Sequence, residues 1–492
     1  MKDLGSVDVV VIGGGINGAG IARDAAGRGL SVVLCEKGDL GEGTSSRSGK
    51  LIHGGLRYLE YYDFRLVREA LIERDVLLRA APHIVWPMRF VLPHSPEQRP
   101  AWLVRLGLFF YDHLGGRKFL PGCATVNLTT DAKGDAIKDE FKLAFEYSDC
   151  WVDDARLVVL NAVDAARRGA KILVRTQATQ ARRVDGNWQV TLRAANGEVS
   201  EVRTRVLVNA AGPWVENVIS GVVGANAARR VRLVKGSHII VKKFWQGPHA
   251  YVLQNHDKRL IFVNPYENNT ALVGTTDIPH EGPPEAVAIN QYEIEYLVAA
   301  VNRYAKAQLT PADVLHSYSG VRPLYDDNAA NPSAVTRDYV FDVQGTPPLL
   351  SVFGGKITTF RKLAEHALQK LKPHLPEMGE AWTATAPLPG GDMANGDFAG
   401  FLTGLRWRYP WLPDELALHY ARRYGTLSAA ILEGAESLDD LGQDFGHGLH
   451  LAEVNYLKRH EWAQTPDDVL FRRSKWGLQL SAAQRAALSG HF

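Results

Sequence analysis

The chain has 492 residues, enough for two to four domains at about 150 residues each. Its 46% hydrophobic and 22% charged residues are those of an ordinary globular protein, and 56 basic against 54 acidic residues leave a net charge of only +2. That balance excludes a globally basic nucleic-acid binder, and the three widely spaced cysteines exclude a disulfide framework or a cysteine metal cluster, as in a reduced cytoplasmic compartment.

Residues 1–5 lack the apolar core of a signal peptide and lead into a β-branched run at 7–12. Gly13-Gly14-Gly15-Ile16-Asn17-Gly18 follows, then an amphipathic helix over 19–29 and an apolar strand over 31–34 that ends at Glu36. This is a βαβ unit carrying G-x-G-x-x-G. Gly13 permits the tight turn, Gly15 lets a pyrophosphate approach the backbone, and Gly18 lets the helix pack on the strands. The helix N-terminus offers amides to the phosphates, and Glu36 can accept both ribose hydroxyls, which disfavours NADP. The N-terminal position of the unit favours FAD over NAD.

A Gly/Ser/Thr loop at 41–49 carries Thr44, Ser45 and Ser46, and Leu51-Ile52-His53-Gly54-Gly55-Leu56-Arg57-Tyr58 comes after it. The spacing of apolar residues predicts a helix over 63–80. Residues 99–118 mix Trp102, Leu103, Leu106, Phe109, Phe110 and Leu114 with Arg99, Arg105, Arg117 and Lys118. The segment reads either as an amphipathic core helix or as one lying among the headgroups of an anionic leaflet. Asp153-Asp154 reads as an N-cap for a helix over 155–166.

Strands are expected at 171–175, 188–192 and 205–209, the last running into Ala210-Ala211-Gly212-Pro213-Trp214. A β-rich region spans 237–275. A buried strand at 349–353 passes through Gly354-Gly355-Lys356-Ile357-Thr358 into a helix ending near 371. This second strand–glycine–helix junction either aims another helix N-terminus at the same ligand or is a plain cap. A Pro/Gly linker at 387–391 precedes a mostly helical remainder, where Arg406, Arg408, Arg422 and Arg423 accompany Trp407 and Trp411. No apolar run is long enough to span a bilayer. His447, His450 and Glu453 have loose metal-like spacing, but without Cys or a second His pair no metal is expected.

The ordered set of motifs resembles the FAD-dependent, respiratory glycerol-3-phosphate dehydrogenases. It comprises IGGGINGAGIARDAAGRG from Ile12, TSSRSGKLIHGGLRYLE from Thr44, FEYSDCWVDDARL from Phe145, VNAAGPWV from Val208 and KGSHIIV from Lys235. GTTD from Gly274, YSGVRPL from Tyr318 and SVFGGKITTFRKLAEHAL from Ser351 continue it, and DLGQDFGH from Asp440 and EVNYLKRHEWAQTPDDVLFRRS from Glu453 resemble the family's C-terminal domain. The resemblance implies an α/β fold: a Rossmann-like FAD-binding domain (about 1–80, 150–230 and 315–375), a β-sheet substrate domain (about 81–149 and 231–314) and a C-terminal helical domain over 387–492.

It also implies oxidation of sn-glycerol 3-phosphate to dihydroxyacetone phosphate by hydride transfer to non-covalent FAD. Electrons then pass to ubiquinone or menaquinone from a peripheral position on the cytoplasmic face of the inner membrane. The expected cofactor contacts are Gly13, Gly14, Gly15, Asn17, Gly18, Glu36, Thr44, Ser45, Ser46, Leu51, Ile52, His53, Ala211, Gly212, Gly354, Gly355, Lys356 and Thr358. Arginine gives phosphate a permanent charge and a planar fork, so Arg57 and Arg322, with Arg337 as a third, are expected at the substrate, beside Tyr58. His53 or His238 is expected as the base, and Lys356 is expected to hold developing negative charge. An oxidase using O2 and a non-catalytic flavin-binding protein are the alternatives. The oxidases tend to carry a mid-chain insertion that this sequence lacks. A homodimer is left open.

Overall fold

The computed structural model describes residues 1–56, 59, 63–116, 119–326 and 338–492. The chain opens with β1 (Lys2–Ile12), α1 (Ile16–Gly27), β2 (Val32–Cys35), β3 (Leu51–Ile52), α2 (Phe64–Ala80), β4 (Val85–His94) and α3 (Ala101–Leu114). It continues with β5 (Ala124–Asn127), β6 (Leu143–Val152), α4 (Asp154–Arg167), β7 (Lys171–Leu173), β8 (Thr176–Val184), β9 (Asn187–Ala194), β10 (Val199–Asn209) and α5 (Val215–Asn217). Then come β11 (Val231–Lys242), β12 (Ala250–Gln254), β13 (Leu260–Tyr266), β14 (Thr270–Gly274), β15 (Ile278–Pro279), α6 (Gln291–Tyr304) and β16 (Val314–Tyr325). β17 (Val340–Gln344), β18 (Leu349–Phe353) and α7 (Phe360–Leu371) close this part. Beyond the linker lie α8 (Phe398–Arg408), α9 (Asp414–Tyr424), α10 (Ser428–Ile431), α11 (Leu451–His460) and α12 (Ala482–Ser489).

Two sheets organise these elements. The first has the order β17-β18-β10-β1-β2-β7, with the β8/β9 hairpin attached to β10. Its centre is parallel, with Val9 beside Val206 on β10 and Val32 on β2. A strand covered on both faces needs an unbroken apolar run, which is why 9–12 do not alternate. On one face α1 packs between α4 and α7.

The second sheet has the order β15-β11-β14-β13-β12-β4-β6-β3, with β16 on β11 and β5 on β6. Ile239, Val241, Val263, Leu297 and Val301 form a core between this sheet and α6. Two strands expected within the FAD part pair with this sheet. β16 pairs antiparallel with β11 over nearly its whole length, and β3 pairs with β6, so 315–325 and 51–52 belong to the substrate sheet rather than the FAD part. The register of β16 with β11 is long-range pairing that local pattern does not encode.

The C-terminal helices share a core with the first sheet: Leu405, Tyr420 and Leu457 lie in the same buried cluster as Val9 and Val11. Ion pairs cross the same interface, including Arg156 with Glu461 (2.9 Å) and Arg473 with Asp39 (2.8 Å). Part of the second basic cluster is drawn into this interface, while Trp407 stays 85% exposed. Arg423 is buried against Asp153 and Glu267, Arg422 stacks on Trp86 and Phe398, and Trp411 packs on the core. Among the described residues no helix is long and apolar enough to cross a membrane.

Candidate active site

The two glycine turns meet. The N-cap of α1 is Gly15, which brings no side-chain acceptor of its own to the amides of the first turn. Ser45 Oγ accepts from the Ile16 N–H at 3.0 Å. Gly13 has φ +111°, and a Cβ there would lie 2.6 Å from the Ala210 carbonyl oxygen, just before the Ala211-Gly212 turn. Asn17 Nδ2 donates to the Gly354 carbonyl, 337 residues away, at 3.2 Å, while its Oδ1 is buried without a partner. Gly354 and Gly355 have φ of +79° and +103°, and a Cβ on Gly355 would sit 2.8 Å from Asn17 Nδ2.

At the end of β2 the Glu36 carboxylate accepts from the Gly14 and Gly38 amides, each at 2.7 Å. Burial raises its carboxyl above the ordinary value, and these amides oppose that shift. The helix N-terminus without a side-chain cap of its own, the glycine cradle that a Cβ would fill, the orphaned Asn17 oxygen and the oriented carboxylate fit a dinucleotide.

The loop after β2 lies over the second sheet. Thr44 Oγ1 donates to the Val321 carbonyl, Tyr318 OH to the Ser48 carbonyl at 2.7 Å, and Lys50 Nζ to the Ser46 carbonyl at 3.2 Å. Leu51 and Ile52 are the buried β3. Register places Tyr318, His238, Gly274 and Phe262 in one row across β16, β11, β14 and β13, hence on one face. The rings of His238 and Tyr318 stack at 4.9 Å. Gly274 makes room for His238, since a Cβ there would lie 2.1 Å from the imidazole. His53 meets the same row, its ring edge-on to Phe262 at 6.1 Å and its backbone amide donating to Thr358 Oγ1 at 3.3 Å. Loop, sheet face and second glycine turn with Lys356 therefore converge.

Arg322 crosses this face over Gly236. Its guanidinium donates to Asp277 (2.9 Å), Thr275 Oγ1 (3.0 Å) and the Thr276 carbonyl (2.8 Å). Sequence reasoning missed Asp277 and Thr275 as the residues that aim this fork, although both stand in or beside the GTTD motif. Arg57, Tyr58 and Arg337 lie outside the described residues, as do Arg117 and Lys118. Asp153 does cap α4, accepting from the Arg156 N–H at 3.3 Å. Glu453 is engaged by His419 and Tyr424. A surface cavity of about 700 Å³ lined by Arg408, Trp411 and Glu433 lies in the C-terminal helices, and none of the expected cofactor, substrate or catalytic residues lines it.

Burial pushes His238 down to about 3, with Arg322 and Lys50 adding to the effect, so its imidazole is neutral and its Nδ1 has no partner. Burial likewise holds His83 at about 3, beside Arg156 and Arg422. Unfolded histidine titrates near 6.5, so below that pH the unfolded chain takes up protons that the fold refuses. The stability due to these two groups is complete above pH 6.5 and is lost as pH falls toward 3, by up to about 1.4 kcal/mol per pH unit for each histidine. The unfolding midpoint should drop between about pH 7 and pH 5, and His83→Gln should flatten that slope. An unchanged slope in the variant would contradict the assignment.

This arrangement is that of a dinucleotide-dependent oxidoreductase: a βαβ nucleotide sheet, a second sheet closing over it, and two imidazoles and a charged fork where they meet. The chain belongs to the FAD dependent oxidoreductase family, whose model matches residues 8–361, and the model described as the C-terminal domain of alpha-glycerophosphate oxidase matches residues 381–490. It is 62% identical over 495 residues to D-erythritol 1-phosphate dehydrogenase of Brucella abortus, covering 100% of this chain and 99% of that protein. It is 52% identical to the aerobic glycerol-3-phosphate dehydrogenase of Escherichia coli, covering 98% and 96% respectively. The fold matches that of glycerol-3-phosphate dehydrogenase from Bacillus halodurans complexed with FAD, with a TM-score of 0.76 at 24% identity over 99% of this chain and 93% of that one. FAD is thus the cofactor of this enzyme's family, and its binding fold is the one seen here.

Proposed function

We propose that this enzyme oxidises the secondary alcohol next to the phosphate-bearing carbon of a short polyol phosphate. The meeting of the two glycine turns, with His53, His238 and Arg322 on or beside one face of the second sheet, carries the reading. FAD, when bound, supplies the hydride acceptor. The Asp277–Thr275 pair holds Arg322 ready for the phosphate, with Arg57 and Arg337 as its expected partners. A neutral imidazole can accept the hydroxyl proton. Burial lowers the basicity of His238, so His53, on the cofactor side of the same row, is the first candidate for that step. Lys356, on the second glycine turn, stabilises negative charge as it develops.

sn-Glycerol 3-phosphate is the first candidate substrate, from the motifs and the Escherichia coli relative. Its four-carbon homologue D-erythritol 1-phosphate is the second, favoured by the 62% identity to the Brucella protein. Both carry a secondary hydroxyl beside the phosphate-bearing carbon. Turnover with a soluble dye acceptor separates them: the true substrate should exceed the other by about tenfold or more in kcat/KM, the usual scale for one extra carbon. Equal activity with unphosphorylated glycerol or erythritol would overturn the role of phosphate.

Electrons leave to ubiquinone or menaquinone from a protein lying on an anionic membrane surface, on the cytoplasmic side. α3 supports this. It buries Leu108 and Tyr111 but leaves Trp102 69% and Phe109 54% exposed, beside exposed Leu106, Phe110 and Phe119. Such a patch on one helix, with Arg99 and Arg105 near it, suits a headgroup region. Changing Trp102, Phe109 and Phe110 together to Ser should cut vesicle binding by about a thousandfold while dye-linked activity survives, since each aromatic buried in the headgroup region contributes about 1.5–3 kcal/mol. Unchanged binding would remove α3 as the anchor. Peroxide formed at each turnover in air would favour the oxidase alternative.

A further inference from the structure

The C-terminal helices reach the cofactor site through buried charge. Asp154, fully buried, accepts from Ser48 Oγ at 2.8 Å and pairs with Lys50 Nζ at 2.7 Å; both belong to the loop that follows the cofactor motif. Asp153 beside it pairs with Arg423 and with Lys475 Nζ at 3.4 Å, and Lys475 lies 4.0 Å from Asp154. Arg423 also pairs with Glu267. Three carboxylates, Asp153, Asp154 and Glu267, thus face three cations, and two of these, Arg423 and Lys475, come from the C-terminal domain. Without that domain the buried pair Asp153 and Asp154, with the half-buried Glu267, would keep only Lys50 of these three cations, which would loosen their hold on the loop. The adenosine end shows the same pattern. Asp39, three residues past Glu36 and buried, is gripped by Arg472 and Arg473 of the C-terminal domain.

We propose that the C-terminal helical domain is a clamp on FAD. Arg472 and Arg473 hold the adenosine loop through Asp39, and Lys475 acts through Asp153 and Asp154 as the positioning residue for the 44–50 loop. Lys475 touches neither cofactor nor substrate. It is 5% exposed, adopts φ +67° at the start of its turn and anchors its ammonium on the Phe471 carbonyl at 3.0 Å, so its reach into the cluster is fixed. Ser48 and Lys50 are held from below by Asp154, while Tyr318 holds the Ser48 carbonyl from above. The proposal depends on FAD lying at the glycine turns and not on which polyol phosphate is oxidised.

The test uses the full-length FAD-bound protein and follows release of flavin by its fluorescence on dilution, with thermal unfolding of holo and apo forms in parallel. Lys475→Met should release FAD about tenfold faster or more, with Lys475→Arg restoring most of the retention, because a charge-assisted interaction at a buried site is removed and then restored. Ser48→Ala, a milder change that breaks the loop's own grip on Asp154, should move release in the same direction by several-fold. If Lys475→Met does not fold, Ser48→Ala carries the test alone. FAD release at the wild-type rate in the variants that fold, with apo and holo forms destabilised equally, would overturn the clamp and leave the cluster as domain packing.

Discussion

Gly18→Ala should yield a protein that no longer retains FAD. The new Cβ would lie 1.8 Å from the Gly13 carbonyl oxygen and 3.4 Å from Ala210 Cβ. The first clash is with backbone in the same turn, so no rotamer relieves it. α1 must retreat from the sheet by about 1.5 Å to restore ordinary packing distances, which draws its N-terminal amides away from the phosphates. Overpacking of this kind costs about 1–3 kcal/mol before any interaction with the ligand weakens, so FAD affinity should fall by about a hundredfold or more. Gly107→Ala in α3, where a Cβ meets nothing within 4 Å, is the matched control and should keep its FAD. Wild-type FAD content and affinity in Gly18→Ala would contradict the packing argument.

Arg322→Lys should raise KM for the phosphorylated substrate by about ten- to a hundredfold, with a smaller change in kcat. The guanidinium spans Asp277, Thr275 and the Thr276 carbonyl with its two terminal nitrogens. An ammonium is a point charge on a shorter reach and can satisfy Asp277 or turn to a phosphate, but it cannot hold the planar fork. Each charge-assisted hydrogen bond that the fork makes and an ammonium cannot is worth about 1.5–3 kcal/mol, and a deficit shared by ground and transition states appears in KM. Asp277→Asn should raise KM less, because it frees the fork from its anchor without removing the positive charge. Steady-state kinetics with wild-type KM and kcat in Arg322→Lys would rule the residue out as the phosphate ligand.

The nucleotide half of this fold is legible because its signals are local. The apolar run at 7–12, the three glycines and Glu36 stand within one βαβ unit, and the structure builds that unit as the pattern prescribes. Gly354 and Gly355 are recognisable as a turn, but their meeting with Asn17 depends on two chain segments 337 residues apart. The substrate sheet is less legible. The place of β16 in that sheet is not written in its own residues, because its partner, β11, is fixed by cross-strand register and by side chains such as His238 packed over Gly274. Asp153-Asp154 reads correctly as a helix cap, yet that reading hides a second role. A carboxylate's partners in the folded core, here Lys50, Arg423 and Lys475, leave no periodic trace. Arg422 and Arg423 look like a basic surface for the same reason: composition records charge and is silent on what neutralises it.

The central claim is a flavin site that takes hydride from a phosphorylated polyol, and anaerobic titration of the purified FAD-bound protein tests it most directly. Adding sn-glycerol 3-phosphate or D-erythritol 1-phosphate should bleach the oxidised-flavin absorbance, with one of the two acting at markedly lower concentration, and glycerol and erythritol should leave it unchanged. A flavin that stays oxidised in the presence of both phosphorylated polyols would contradict the account and point instead to a flavin-binding protein without this chemistry.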